Sequence, residues 1–121
     1  MGKNLEIAML LDFYGDMLTD KQQDVIDLYY NQDLSLGEIA DEVGISRQGV
    51  RDSIKRGEAV LLEMEGRLGF LKNYRASQQV YQKVTALAQE IIDINRKQSN
   101  IGIIEVKAAD ILKEVEALRQ E

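Results

Sequence analysis

No proline, cysteine, histidine or tryptophan occurs among the 121 residues. Without proline nothing removes a backbone donor inside an element, so helices run uninterrupted except where the nine glycines weaken them. The absence of cysteine excludes disulfides and thiolate chemistry, and that of histidine removes the usual imidazole base; together they leave few routes to a transition-metal site. No glycine-rich phosphate loop is present either, so the chain reads as a non-enzyme that needs no cofactor, metal or catalytic residue. No apolar run approaches the roughly 20 residues of a membrane span. The N-terminal stretch "MGKNLEIAMLLDFYGD" interrupts its apolar residues with acidic ones, so neither a span nor a leader is expected and the address reads as cytoplasmic.

What is present is material for helices. Hydrophobic residues make up 45% and charged residues 30%, enough for a modest core and too little polarity for disorder, and an all-α fold is expected. The net charge of −6 conceals an uneven distribution. Residues 1–43 hold two basic and ten acidic side chains, residues 44–88 eight and four, and residues 89–121 five and seven. A basic middle lies between acidic flanks, which is the charge pattern of a chain that meets an anionic partner through one segment only.

Apolar spacing places helices along the whole chain. Residues 4–18 put Leu5, Ala8, Met9, Leu11 and Leu18 at helical intervals, with Phe13 and Tyr14 near the end and Gly15 loosening it. Thr19 followed by Gln22, and Ser35 followed by Glu38, are capping-box patterns opening helices at about 20–31 and 36–43. Gly44 ends the second of these, and Ser46 caps the next. That next helix is expected to run long, with a bend at 66–69, because Val50, Ile54, Gly57, Leu61, Met64, Leu68 and Leu71 follow a 4,3 heptad spacing. The seam serves either packing within the domain or a homodimer. The same spacing returns at Val80, Val84, Leu87, Ile91 and Ile94 and again at Ile104, Ala108, Ile111, Val115 and Leu118, with the turn-like "QSNIG" between. An antiparallel hairpin or coiled-coil extension over residues 73–121, after a domain of residues 1–72, is therefore expected.

The stretch "EIADEVGISRQGVRDSIKRGE" meets the requirements of a helix-turn-helix. Ala40 is the small residue where the two helices cross, Gly44 makes the turn, and Ile39, Val43, Ile45, Val50 and Ile54 lock the second helix at a fixed angle. The second helix then begins at Ser46 and exposes Arg47, Gln48, Arg51, Asp52 and Lys55 on its first turns, with Gly49 on the same arc. Arginine pairs bidentately with guanine, glutamine with adenine, and lysine neutralises phosphate, so Ser46, Arg47, Gln48, Arg51 and Lys55 are the candidate nucleic-acid-binding residues. Asp12, Asp16, Asp20 and Asp24 recur every four residues, but the break at Gly15 and the cap at Thr19 split the row between two helices. A solvated face or a docking surface for a basic partner is the better reading of them than a metal or acid–base site. Phe13, Tyr14, Tyr29 and Tyr30 read as core and core edge rather than as stacking platforms.

The run "LTDKQQDVIDLYYNQDLSLGEIADEVGISRQGVRDSIKRGE" resembles region 4 of sigma factors. With "DFYG", "LTDKQ" and "ISRQ" in that order, it resembles more closely the small bacterial YlxM-like helix-turn-helix proteins, over residues 5–72. The chain departs from their pattern at Gly49, where alanine is common. The resemblance implies a sigma region 4-like helix-turn-helix, or a winged-helix-like architecture without the wing, in a DNA-binding regulator. It also implies a link to the signal recognition particle pathway, on the ground that the genes lie together. The partners implied are DNA or the particle's RNA, and the particle's GTPase or its receptor.

Overall fold

In a computed structural model, which describes residues 4–120, the chain is all-helical, with no strand among the described residues. Helix α1 spans Leu5–Tyr14, α2 Asp20–Tyr30, α3 Leu36–Val43, α4 Arg47–Leu68, α5 Phe70–Gln98 and α6 Gly102–Arg119; a 3-10 turn, Gly15–Met17, follows α1. One compact unit ends at Lys72 and a second begins at Asn73.

Side-chain caps set the boundaries in the first unit. The Thr19 hydroxyl accepts from Gln22 N at 3.1 Å while the Gln22 carboxamide accepts from Thr19 N at 3.1 Å. Ser35 and Glu38 repeat the exchange at 3.1 and 3.0 Å. Each pair satisfies two donors that a helix start leaves orphaned, which contributes about 1 kcal/mol. Gly44 closes α3 in the left-handed conformation, φ 81°, and the amides of Gly44 and Ile45 both donate to Ala40 O, at 2.9 and 3.2 Å. This tight turn delivers the chain to Ser46, whose hydroxyl accepts from Gly49 N at 3.0 Å and so starts α4.

Two apolar clusters fill the unit, and α4 runs through both. Val25, Ile39, Ala40, Val50 and Ile54 join α2, α3 and the first half of α4; Ile7, Leu10, Leu11, Tyr14, Leu18, Ile26, Leu61 and Leu71 join α1, α2 and the second half. Neighbouring residues Val25 and Ile26 divide between the clusters, which makes α2 the strut that couples them. The 4,3 seam of α4 is therefore closed inside its own unit from Val50 to Leu61 and does not offer that stretch to a second copy. At Gly57 the approach is so close that a methyl group would overlap Cδ1 of the fully buried Ile26.

Two expectations need correction. Helix α1 stops at Tyr14, since the chain tightens into the 3-10 turn and leaves Leu18 extended. Its buried face is Ile7, Leu10, Leu11 and Tyr14, a complete i, i+3, i+4, i+7 stripe of large side chains, whereas Leu5 stays exposed at the open end. The long helix expected through residue 71 is two helices. Gly69 takes φ 66° and ends α4, and Leu71 returns to the same core from α5.

The start of α5 is capped through space. Glu65 on α4 accepts from Leu71 N at 3.0 Å and from Lys72 N at 3.1 Å, while the Tyr14 hydroxyl accepts from Phe70 N at 3.0 Å and donates to Glu65 at 2.7 Å. A carboxylate at a helix N-terminus is favoured by the orphan amides and the helix dipole. Phe70 stacks on the Tyr14 ring at 5.4 Å.

In the second unit, α5 and α6 form an antiparallel hairpin. Asn95, nearly fully buried, accepts from Ile101 N and donates to Ile101 O, both at 2.9 Å, and Asn100 turns the chain at φ 49°. Arg96 and Glu105 pair across the turn at 2.6 Å. The residues turned inward are Ala88, Ile92 and Asn95 on α5 with Ala108 and Val115 on α6. Most of the expected seam, Val80, Leu87, Ile91 and Ile94 with Ile104, Ile111 and Leu118, lies exposed. The reason is a displaced inward face: α5 turns the row of Ala88, Ile92 and Asn95 toward its partner, one position beside the heptad stripe.

Candidate nucleic-acid interface

The five candidate residues divide by role once placed. Ser46 is committed to the backbone of α4 as its cap and acts by positioning the helix. Arg47, Gln48 and Arg51 line one open cleft with Ser35, Leu36 and Gly37, so the N-terminal ends of α3 and α4 face a common space. Arg51 also borders the adjoining cleft, which holds Lys55 together with Tyr29, Tyr30, Leu36, Ile54 and Glu58. Arg47, Arg51 and Lys55 follow i, i+4, i+8 spacing and form one exposed basic edge along α4.

Gly37 has a part that the sequence did not disclose. A methyl group there would come within 3.0 to 3.3 Å of the Arg47 guanidinium, so the bare α3 turn is the seat on which that side chain lies. Gln48 is held as well, donating to Asp52 at 3.0 Å. Engaging a base with Gln48 would require giving up that bond, whereas no ion pair holds Arg51 or Lys55 among the described residues. Arg51 stands in the middle of the edge and borders both clefts.

A second basic site lies on the opposite flank of α4. Lys21 and Arg56 line a cleft with Thr19, Gln22, Gly49, Asp52 and Ser53. Arg56 was counted in the basic middle, but Lys21 belongs to the acidic N-terminal third and sequence order hid their convergence. Gly49, expected on the arc of Arg47 and Arg51, lines this opposite flank instead, and an added methyl there would approach the Ser46 hydroxyl at 3.2 Å. Of the four aromatic residues expected at the core or its edge, Tyr14 is buried and Tyr29 and Tyr30 are half-buried, whereas Phe13 lies exposed; Tyr29 and Tyr30 meet edge-on at 5.0 Å, and Tyr30 donates to Glu58. Burial and that bond push the Tyr30 phenol above its ordinary value, keeping it neutral and a donor.

On the far side of the unit the acidic residues gather. Asp12, Asp16, Asp24 and Asp27 line a single cleft with Phe13, Gly15, Gln23 and Asn31. The break at Gly15 and the cap at Thr19 divide the row between α1, the 3-10 turn and α2, as expected, and the packing of α1 on α2 still brings three of the four aspartates to one cleft with Asp27. Asp20 is left out of the cleft. No group of three or more histidine, cysteine, aspartate or glutamate side chains suited to a metal occurs among the described residues. Nor is any described helix long and apolar enough to cross a membrane.

A family profile described as "Putative helix-turn-helix protein, YlxM / p13 like" matches residues 1–101. The chain belongs to this UPF0122 family. The match runs well past residue 72, where the resemblance read from the sequence ended, and takes in the whole of α5. A UPF0122 protein of Acetivibrio thermocellus is 50% identical over 117 residues, 96% of this chain and 92% of that protein. One from a Thermoanaerobacter species is 38% identical over 114 residues, 94% of each chain. A Bacillus thuringiensis member is 41% identical over 99 residues, 82% of this chain and 90% of its own length.

Proposed function

We propose that this UPF0122 chain is a non-enzymatic nucleic-acid-binding protein, a helix-turn-helix DNA-binding regulator that reads duplex DNA with the first turns of α4. The observation that carries the reading is the convergence of Arg47, Gln48 and Arg51 in one open cleft, with Lys55 continuing the edge. Arg51 contacts a base edge, Arg47 and Lys55 flank it on phosphates, and Lys21 and Arg56 grip the backbone from the other side. The resemblance to YlxM-like proteins is the ground for setting this activity in the signal recognition particle pathway of the cytoplasm.

The test is fluorescence anisotropy of the full chain with duplexes from its own operon's promoter, with random duplex, and with the particle's RNA, at two salt concentrations. A bidentate base contact discriminates by about 1–3 kcal/mol, so Arg51→Ala is expected to weaken the preferred duplex at least tenfold and random duplex much less. Arg56→Ala is expected to weaken all duplexes alike and to reduce the salt slope by about 1. Equal loss on both duplexes with Arg51→Ala overturns base reading. Preference for the RNA at both salts transfers the site to RNA.

The acidic cleft favours a second reading, in which the same unit docks a basic protein surface, with the particle's GTPase or its receptor as the partner. Co-sedimentation with purified particle separates the two, since a DNA regulator leaves it unbound.

A further inference from the structure

We propose that the C-terminal hairpin is a self-association surface that pairs with the hairpin of a second copy of this chain, antiparallel, to complete a four-helix bundle. This goes beyond the nucleic-acid reading and does not depend on it. A hairpin of two helices buries only the side of each that faces the other, and here that side is thin: Ala88 and Ala108 contribute a methyl group each beside Ile92 and Val115. The larger side chains Leu87, Ile91, Ile94, Ile104, Ile111 and Leu118 are left 37–58% exposed. Ile91, Ile104 and Ile111 line one apolar groove between the helices, so the two stripes meet on a single face. Scattered apolar residues on a surface are ordinary, but a contiguous stripe at heptad spacing on both helices of a hairpin has the pattern of half a bundle.

The charges beside the stripe identify the occupant. Next to the apolar row, α6 carries Lys107 and, one heptad on, Glu114; α5 carries Lys83, Glu90 and Lys97 at the same interval. All five are exposed. The lysine and the glutamate one heptad apart on α6 face opposite signs in register only when the second helix runs in reverse. A two-fold axis across α6 then sets Lys107 opposite Glu114 of the second copy, and Glu114 opposite its Lys107. A parallel copy would align lysine with lysine. A uniformly charged partner would meet both signs on each helix, one of each on α6 and two lysines with one glutamate on α5.

Sedimentation equilibrium on the full chain tests the proposal, with circular dichroism to follow helix content. The wild-type chain is expected to move from 13.7 kDa toward twice that mass as concentration rises. Burying one unpaired carboxylate at the interface is strongly unfavourable, so Leu87→Glu or Ile111→Glu is expected to weaken the dimer by about a hundredfold without loss of helix. Lys107→Glu is expected to weaken it several-fold, and Lys107→Glu combined with Glu114→Lys to restore it, because the swap returns opposite signs to facing positions. That rescue separates pairing from any fault in folding. A wild-type mass that stays at 13.7 kDa at every concentration overturns the proposal and leaves the stripe to a different protein. A double variant no better than Lys107→Glu alone overturns the antiparallel register.

Discussion

The same 4,3 apolar spacing occurs in α4 and in the α5–α6 hairpin, and the two regions use it in opposite ways. In α4 the stripe from Val50 to Leu61 is sealed by α1, α2 and α3 of the same unit, whereas in the hairpin its counterpart is mostly open. Spacing alone states that a helix has a sticky side. What covers that side depends on how many other helices the chain can bring to it, and three precede α4 while the hairpin has only two helices in all. A heptad seam in a short chain is therefore no evidence for a dimer until the packing of neighbouring helices has been accounted for.

Truncation at matched positions should expose the contrast most strongly. Leu61 is fully buried and Leu87 is 58% exposed. Leu61→Ala removes buried methyl groups and leaves a cavity, for an expected loss of about 2–5 kcal/mol in urea unfolding. Leu87→Ala, measured at concentrations too low for association, should change unfolding by less than about 0.5 kcal/mol. Equal losses would mean that the hairpin stripe is covered within the monomer, and the contrast between the regions would be gone.

A smaller effect is expected at the joint that starts α5. Tyr14→Phe leaves Phe70 N and Glu65 without their hydroxyl partner, which should cost about 1–3 kcal/mol. The Tyr14 phenol is raised above its ordinary value, first by burial and then by the bond to Glu65. Above about pH 10 an unfolded tyrosine releases its proton while the folded Tyr14 retains it, so the folded state binds more protons and stability falls as pH rises. Below that pH the contribution is complete. Tyr30 is raised for the same reasons and adds to the fall. Denaturation profiles between pH 8 and pH 11 should therefore drop less steeply in Tyr14→Phe than in wild type, and identical slopes would remove Tyr14 from the account.

Much of the first unit was legible because its signals are local. Thr19 with Gln22, Ser35 with Glu38, Gly44 and Ser46 each decide a boundary within four residues, and all four are found at the positions read from the sequence. Ala40 and the lock residues set the helix-turn-helix in the same way. The misreadings concern contacts made through space. Glu65 and Tyr14 meet the first amides of α5 from 51 residues apart in the chain, so the glycines near 66–69 signal a bend but not the capped start of a second helix. At the candidate site the exposed basic edge followed from helical spacing. Gly37 as the seat of Arg47, and Lys21 beside Arg56, appear only when α2 and α3 are folded against α4. The acidic row is split at Gly15 as its sequence indicates, but only the packing of α1 on α2 shows that three of its members share one cleft.

The smallest expected effect compares two glycines of one helix, and it separates the packed face of α4 from its open one. Gly57 is pressed against Ile26, so Gly57→Ala forces a side chain with no free space to move and should destabilise by about 1–3 kcal/mol. Gly66 lies about two and a half turns further along α4, exposed, with nothing within 4 Å of an added methyl group. Its φ is ordinary for a helix, so alanine there loses nothing in packing and reduces the entropy of the unfolded chain. Gly66→Ala should raise stability by about 0.5–1 kcal/mol in the same urea assay. Loss of stability at Gly66 would mean that a partner, in the chain or outside it, approaches α4 closely on that open face.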